Sequence, residues 1–432
     1  MSLKTVMSMK LGILKETYHY EKRVGLTPDV AKKMAELGFS ILIEKGAGVE
    51  AGYLDEHYEN VGASVEKDRK TILSTSDILV SVSPLNSDDI GFSKKGATLL
   101  GILKPFKHSD LLNAYNKQNL TTFALEMVPR ITRAQTMDVL SSQSNLAGYR
   151  SVIESAFFFN RAFPLMMTAA GTISAARVLV LGAGVAGLQA IATAKRLGAI
   201  VSAFDVRTAA KEQVQSLGAT FIEVNDSEVG DGAGGYAKEM SNEYKAAQME
   251  KLAAVVKTQD VVITTALIPG KAAPVLITAD MVKSMRPNSI IVDLASENGG
   301  NCSLSEHGKT VVKHGVTLHA PGNILSNIAA DASQFFARNV LAFVKGISTF
   351  DEAEMHINWN DEIVSATLLT KNGETVHPLL QSEKLKASKV KEGTTNESID
   401  EPKVKSSTKT KTQEDADSES VVEKTTKKKQ DI

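Results

Sequence analysis

An α/β protein built from two βα lobes, with a charged C-terminal tail, is what this sequence predicts, and three observations carry that expectation. From residue 9 onward, short β-rich runs alternate with longer helical patterns, as when helices cover a mostly parallel sheet. One such run leads straight into a glycine-rich turn at Gly182, Gly184 and Gly187 and then a helical pattern, the opening of a Rossmann unit. Beyond Leu380 the composition changes: residues 382–432 contain no aromatic and are dominated by Lys, Glu, Ser, Thr and Asp. The length of 432 residues suits two to four domains at roughly 100–200 residues each.

The elements follow in order. Residues 11–14 (LGIL) read as a first strand. A helix from Asp29 to Leu37 comes next, with Thr27 as its N-cap, Pro28 at its first position and Gly38 closing it. Further strands are expected at 40–46, 78–83, 98–103 and 121–126. Between about Gln135 and Ala169 the pattern supports one long apolar helix through Leu146, Tyr149, Ile153 and Phe157, suited to connecting two lobes. A second series of strands falls at 177–181, 200–204, 260–265, 289–294 and 316–319. Several are continuous β-branched runs, as in strands buried on both faces. A helix is expected over 327–344, and residues 356–360 together with the stretch flanking Asn372-Gly373 read as a hairpin element, since Asn-Gly favours a type I′ turn. The expected organisation is an N-terminal lobe over 9–145, completed by about 325–380, a Rossmann domain over 146–324, and a disordered tail over 381–432, too poor in apolar residues to offset its ordering entropy.

Composition excludes several classes. With 43% hydrophobic and 23% charged residues, the chain is neither fibrous nor wholly disordered. Its 49 basic and 50 acidic side chains leave a net charge of −1, so no global field favours nucleic acid. Cys302 is the single cysteine, which excludes an internal disulfide or a multi-cysteine metal site and points to a reducing compartment. The eight histidines have no HxxxH or HExxH spacing, and no metal site is expected. The N-terminus lacks the apolar core of a signal peptide. The most apolar region, 156–194, is interrupted by Arg161, Pro164 and Arg177, so no segment is expected to cross a membrane.

The glycine turn carries the chemistry. Gly182 permits a tight turn, Gly184 lets the backbone approach a pyrophosphate, and Gly187 lets helix pack on strand. The helix start supplies N–H donors and a favourable dipole for phosphate. Asp205, at the end of the next strand, stands where a carboxylate accepts the ribose hydroxyls and repels a 2′-phosphate, predicting NAD(H) over NADP(H). Arg207 complicates that reading, because a nearby arginine can accommodate a 2′-phosphate.

Three runs, KE…RVGLTP at 15–28, RITRAQTMDVLSSQSN at 130–145 and LGAGVAG…KRLGAIV…D at 181–205, resemble the alanine dehydrogenase and pyridine nucleotide transhydrogenase superfamily over residues 9–380. Within it, the 130–145 run resembles the nicotinamide-binding loop of the proton-translocating transhydrogenases. Hydride transfer between two nicotinamides moves no separate proton at the reacting carbon, so the protein must chiefly orient rings and stabilise charge. By themselves Arg130, Arg133 and Asp138 equally suit a surface ion-pair cluster at a helix start. The resemblance implies that Arg130, Gln135, Asp138 and Ser141 act at the nicotinamide end, with Thr136 and Met137 beside them, and that Val185, Val206, Arg207, Gly235, Gln248 and Leu267 line the nucleotide cleft. It also implies that the glycine-dense stretch 230–239 is a mobile loop closing over nucleotide with Tyr236.

Departures from the alanine dehydrogenases matter as much. Where those enzymes carry a catalytic lysine after the third strand, this chain reads VSVSP at 80–84; where they place a histidine it has Lys104, and where they place an aspartate it has Glu297. The general acid/base for oxidative deamination is therefore missing. Arg23, a carboxylate ligand in those enzymes, is expected to be structural here. The resemblance thus implies a subunit holding NAD(H), passing hydride to NADP(H) on a partner, with proton movement coupled in a membrane-spanning subunit. It further implies a homodimer and a peripheral position on the cytoplasmic membrane face, the charged tail standing where other members continue into membrane helices. The alternative expectation is an alanine dehydrogenase-like oxidoreductase.

Overall fold

The computed structural model describes residues 9–224, 230, 240–268, 271–351 and 354–381. The expected tail and the 231–239 portion of the glycine-dense loop, with Gly235 and Tyr236, lie outside them. The first series is β1 (Lys10–Ile13), α1 (Pro28–Glu36), β2 (Ser40–Glu44), α2 (Asp55–Glu59), β3 (Ser64–Glu66), α3 (Arg69–Thr75), β4 (Ile78–Val80), α4 (Ser87–Phe92), β5 (Thr98–Gly101), α5 (Leu111–Lys117) and β6 (Thr121–Ala124). The long helix α6 (Val139–Phe158) and the strands β7 (Met166–Thr168) and β8 (Gly171–Ile173) follow. The second series is β9 (Arg177–Leu181), α7 (Val185–Arg196), β10 (Ile200–Phe204), α8 (Ala209–Ser216), β11 (Thr220–Phe221), α9 (Asn242–Val256), β12 (Val261–Thr264), α10 (Ala279–Ser284), β13 (Ile290–Asp293), β14 (Lys309–Lys313) and β15 (Val316–Ala320). Last come α11 (Ala329–Ile347), β16 (Ser348–Asp351), β17 (Glu354–Ile357), α12 (Glu362–Thr367), β18 (Leu368–Lys371) and β19 (Glu374–Thr375).

Two sheets organise these elements. The first has the order β19-β18-β6-β5-β4-β1-β2-β3, parallel except for β18 and β19. The second has the order β11-β10-β9-β12-β13-β15-β14, the doubly wound Rossmann arrangement with one antiparallel edge strand, β14. Both sheets are covered on both faces, which is why their central strands are continuous apolar runs. Along β4, Ile78 and Val80 join one core while Leu79 joins the other; along β9, Val178 and Val180 separate in the same way from Leu179 and Leu181. The helix α11 closes one face of the first sheet, its Phe343 meeting Phe123 of β6 edge to face at 5.7 Å. The helix α6 belongs to both bodies: Val139 at its start packs in the first sheet's core and Val152 in the second's.

Several expectations change. The long helix stops at Phe158, and part of its expected C-terminal portion is β7, which pairs with β8 just beyond it. Its expected N-terminal portion is a 3₁₀ turn over Thr132–Met137. The break between turn and helix is Asp138, whose side chain accepts the N–H of Ser141 and so starts a new helix. Thr27 has N-cap backbone geometry, but its hydroxyl donates to Asp29 at 2.6 Å and caps nothing. Of the 356–360 stretch only His356 and Ile357 are in a strand, and they pair with Thr349 and Ser348 rather than with the Asn372-Gly373 hairpin; part of the intervening stretch is α12. The Asn372-Gly373 hairpin itself forms between β18 and β19, with both φ values positive at 53° and 80°, as a type I′ turn requires.

Candidate functional site

The glycine turn sits at the C-terminal end of β9. Gly182 has φ +95° and donates its N–H to Phe204 O at 2.9 Å, binding the turn to β10. A Cβ at Gly187 would lie 1.8 Å from Gly182 O, whereas one at Gly184 would meet nothing closer than Arg207 Nη2 at 3.9 Å. The first contact is helix against strand; the second position faces open space. Val185 opens α7 and is 39% exposed, so its helix start presents N–H groups outward, where an anion would be held.

Asp205 is more engaged than the sequence suggested. Its Oδ2 accepts the N–H of Ala183 at 2.7 Å and Arg207 Nη2 at 2.6 Å, while Oδ1 accepts the N–H and Nε of Arg207 at 2.9 and 2.8 Å. One carboxylate thus ties the glycine turn to the end of β10. Arg207 forms a two-pronged pair with it instead of standing as a separate cation for a 2′-phosphate. Ribose hydroxyls can reach Asp205 only by sharing or displacing that guanidinium. Val206 packs at the edge of the second sheet's core, and Leu267, 44% exposed, lies on the loop after β12. Gln248 is buried on α9.

The 130–141 segment lies at the other end of α6. Ala134 and Met137 anchor it in the first core, Met137 lying against Gly346 of α11, where a Cβ would be 2.1 Å from its Cε. The Met137 side chain is therefore a packing residue, which leaves only its backbone for ligand contact. Asn339, a buried residue that no local pattern in the sequence singles out, donates to Thr136 O at 2.8 Å and accepts the Ser142 hydroxyl at 2.7 Å. So anchored, the segment exposes Arg130, Gln135 and Thr136. Asp138 accepts both the N–H and the hydroxyl of Ser141, at 2.9 and 2.6 Å. Arg133 follows the surface alternative, pairing with Asp361 at 2.7 Å and Glu362 at 3.2 Å.

The helix α6 joins these two ends. A Cβ at Gly148 would come within 2.0 Å of Ala186 O, so α6 touches α7 beside the glycine turn. Asp138 lies ten positions earlier, about 15 Å along the axis at 1.5 Å per residue. Gly148 was legible only as a helical glycine. Deeper in the junction, Glu154 accepts Arg150 Nε at 2.8 Å and Asn327 Nδ2 at 2.6 Å and pairs with His319 Nε2 at 2.6 Å. Burial pushes its carboxyl up, but these hydrogen bonds, led by His319, hold it below the usual carboxylate value.

Arg23 and Lys104 are both held by internal partners. Arg23 donates Nε and Nη2 to Glu21 at 2.7 and 2.6 Å and Nη1 to Gln143 at 2.9 Å; it is buried and committed. Lys104 is paired with Glu297. Among the described residues no group of three or more His, Cys, Asp or Glu is placed to hold a metal, and no helix is long and apolar enough to cross a membrane.

The profile "Alanine dehydrogenase/PNT, N-terminal domain" matches residues 12–147 and "Alanine dehydrogenase/PNT, C-terminal domain" matches residues 151–378. The first part of the NAD(P) transhydrogenase alpha subunit of Rhodospirillum rubrum is 50% identical over 379 residues, covering 86% of this chain and 99% of that protein. A crystal structure of transhydrogenase from Sinorhizobium meliloti superposes with a TM-score of 0.77 at 45% identity, covering 85% of this chain and 100% of that one. Alanine dehydrogenase of Bacillus subtilis is more distant, 29% identical over 324 residues, covering 73% of this chain and 79% of that protein. The chain therefore belongs to the alanine dehydrogenase/PNT family and, within it, to the NAD(P) transhydrogenase alpha subunits.

Proposed function

We propose that this chain holds NAD(H) and passes hydride directly to or from NADP(H) carried by a partner subunit, with proton movement coupled in a membrane-spanning subunit. The observation that carries the reading is the single rigid helix α6, which places the Asp138–Ser141 cap at one end and meets the glycine turn near its middle. The residues fit a dinucleotide: open space over Gly184, an outward helix start, and a carboxylate at the end of β10. Asp205 and the N–H groups of α7 would hold the ribose and pyrophosphate. Arg130, Gln135, Asp138 and Ser141 would orient the nicotinamide amide and ring. Bound nicotinamide supplies the hydride-carrying carbon. The protein's part is alignment and charge stabilisation, since the step transfers a hydride with its electron pair and no separate proton.

Partner subunits supply the membrane passage and the NADP(H) site in this reading, and the chain works at the inner face of the cytoplasmic membrane. A homodimer is supported by the hairpin β7–β8 and its approach, where Leu165, Met166, Met167 and Ile173 are exposed, Met167 at 77%; an apolar arm of this kind suits a second copy. The test is reduction of an oxidised NADP analogue by NADH, with and without a recombinant NADP(H)-binding domain, and with pyruvate plus ammonium as control. Turnover only with the added domain supports the proposal. NADH oxidation by the chain alone with pyruvate and ammonium would replace it with an alanine dehydrogenase.

A further inference from the structure

The two sheets are bridged by charge as well as by α6. The turn after β5 carries Lys104 and Lys107, and the 3₁₀ turn Ser296–Asn298 after β13 carries Glu297. Lys104 Nζ donates to Glu297 Oε1 at 2.7 Å, and Lys107 Nζ donates to the same oxygen at 2.8 Å. The partners are 193 and 190 positions apart in the chain, so this contact exists only when the lobes are in register.

Both ends are stiff. Lys104 sits at φ 45°, a conformation that a non-glycine residue keeps only where its surroundings impose it. Here Glu126, after β6, accepts the N–H groups of Leu103 and Lys104, and the Lys104 carbonyl accepts the N–H groups of Lys107 and His108 at 2.9 and 3.0 Å. Opposite, Asp293 collects the N–H groups of Ala295, Asn301 and Cys302 at 3.0, 3.2 and 3.0 Å, and the chain reverses through Gly299 and Gly300. Tyr20 docks alongside, its ring filling the space that a Cβ at Gly308 or Gly322 would need. Burial pushes the Glu297 carboxyl up, but Lys104, then Lys107, hold it down at about 2.

Stability does not explain the arrangement. All three side chains are 40% exposed or more, and such pairs are worth about 0–1 kcal/mol, while two ammonium groups on one oxygen repel each other. Geometry does explain it. The C-terminal ends of the second sheet's strands form the ligand crevice of a doubly wound fold, and β13 ends at the Glu297 turn. The first sheet's core anchors the 130–141 segment through Ala134 and Met137. The span bridged by these charges is therefore the span between the two halves of the nucleotide site.

We propose that Glu297, Lys104 and Lys107 form a charged latch across the interlobe cleft that sets the separation at which the 130–141 segment meets a nucleotide held on the second sheet, making them positioning residues for hydride transfer. This rests on the function proposed above. The latch itself is tested on the full chain without nucleotide, by pulsed electron resonance between nitroxides on Glu59→Cys and Lys257→Cys, both exposed sites, with the buried Cys302 left unlabelled. Glu297→Gln is expected to lengthen and broaden the interlobe distance distribution at an unchanged melting temperature, and high salt to move the parent chain the same way. Exchanging the charges, Glu297→Lys with Lys104→Glu and Lys107→Glu, should restore the parental distribution. With the NADP(H)-binding domain added, Glu297→Gln should lower kcat about ten- to a hundredfold with little change in NADH affinity. An unchanged distribution in Glu297→Gln overturns the latch, and an unchanged kcat beside a shifted distribution overturns its positioning role. A parent chain without transhydrogenation would instead count against the proposed function, while the distance measurement still judges the latch.

Discussion

Two glycines three positions apart should fail in opposite ways when each is changed to alanine. At Gly187 the new methyl would lie 1.8 Å from Gly182 O and 2.8 Å from Gly182 C. These are backbone atoms fixed by β9 and by the Gly182 N–H bond to Phe204 O, so no side chain can rotate away and α7 must lift from the sheet. Overpacking costs about 1–3 kcal/mol, and a rigid backbone neighbour places Gly187→Ala near the upper figure, about 3 kcal/mol. At about 2–4 °C per kcal/mol, melting should fall by about 6–12 °C, with nucleotide binding lost as the turn distorts. At Gly184 the methyl meets only Arg207 Nη2 at 3.9 Å, and φ −78°, ψ −165° is extended backbone open to alanine. Gly184→Ala should therefore melt at or slightly above the parent temperature, because alanine restricts the unfolded chain, an effect of about 0.4–1 kcal/mol. The methyl would instead stand where the pyrophosphate approaches. A penalty of about 1–3 kcal/mol there weakens NADH binding about 5- to 150-fold. Scanning calorimetry and titration calorimetry with NADH separate the two effects. If Gly184→Ala bound NADH normally, or Gly187→Ala melted like the parent, the assignment of one glycine to ligand approach and the other to packing would be refuted.

Other outcomes follow from the same geometry. Asp205→Ala should weaken NADH binding about 10- to 150-fold, the worth of charged hydrogen bonds of about 1.5–3 kcal/mol, and relax discrimination against NADPH; two unchanged affinities in a binding titration would end that role. Asp138→Asn keeps a competent N-cap, so melting should hold while turnover with an NADP(H)-binding domain falls at least about tenfold; normal turnover with a lowered melting point would leave Asp138 a cap and nothing more. Glu154 titrates below its ordinary value in the folded chain, so its contribution is fully present above the unfolded value of about 4.3 and is lost as pH falls through the folded one. Denaturant unfolding of Glu154→Gln should accordingly show a deficit at pH 7 that shrinks below about pH 4.3; a deficit independent of pH would contradict it.

The strand pattern was legible because buried parallel strands leave continuous apolar runs, and 177–181, 200–204 and 316–319 fall within a residue of β9, β10 and β15. The glycine turn was legible because backbone geometry there admits few side chains. What the sequence conceals depends on distant neighbours. β3 and β11, of three and two residues, are too short to leave a pattern. The β7–β8 hairpin was hidden by its apolar residues, which a helix would equally use; only the turn at Gly171, φ 120°, separates the two. Gly148 and Asn339 act through contacts with Ala186 and with Thr136 and Ser142, and no local signal announces either. Arg207 stood two positions from Asp205 in full view, yet that they form a bidentate pair is a fact of side-chain direction.

The first sheet bears on what the cleft can react with. Its strand order reverses between β4 and β1, the switch point where open α/β sheets usually take their ligands. Here that point is filled from within: Glu16, after β1, accepts the N–H groups of Val82 and Ser83, after β4, at 2.6 and 3.1 Å. Backbone donors that could receive a substrate carboxylate receive the chain's own carboxyl, which burial pushes up to about 8. Arg23 is spent on Glu21 and Gln143, and the pair at positions 104 and 297 neutralise each other across the cleft. A small amino or oxo acid would have to displace three internal partnerships to bind. The proposed hydride exchange between two nicotinamides would require no such displacement, and it would draw on what the fold keeps: one helix fixing the Asp138 cap relative to the glycine turn.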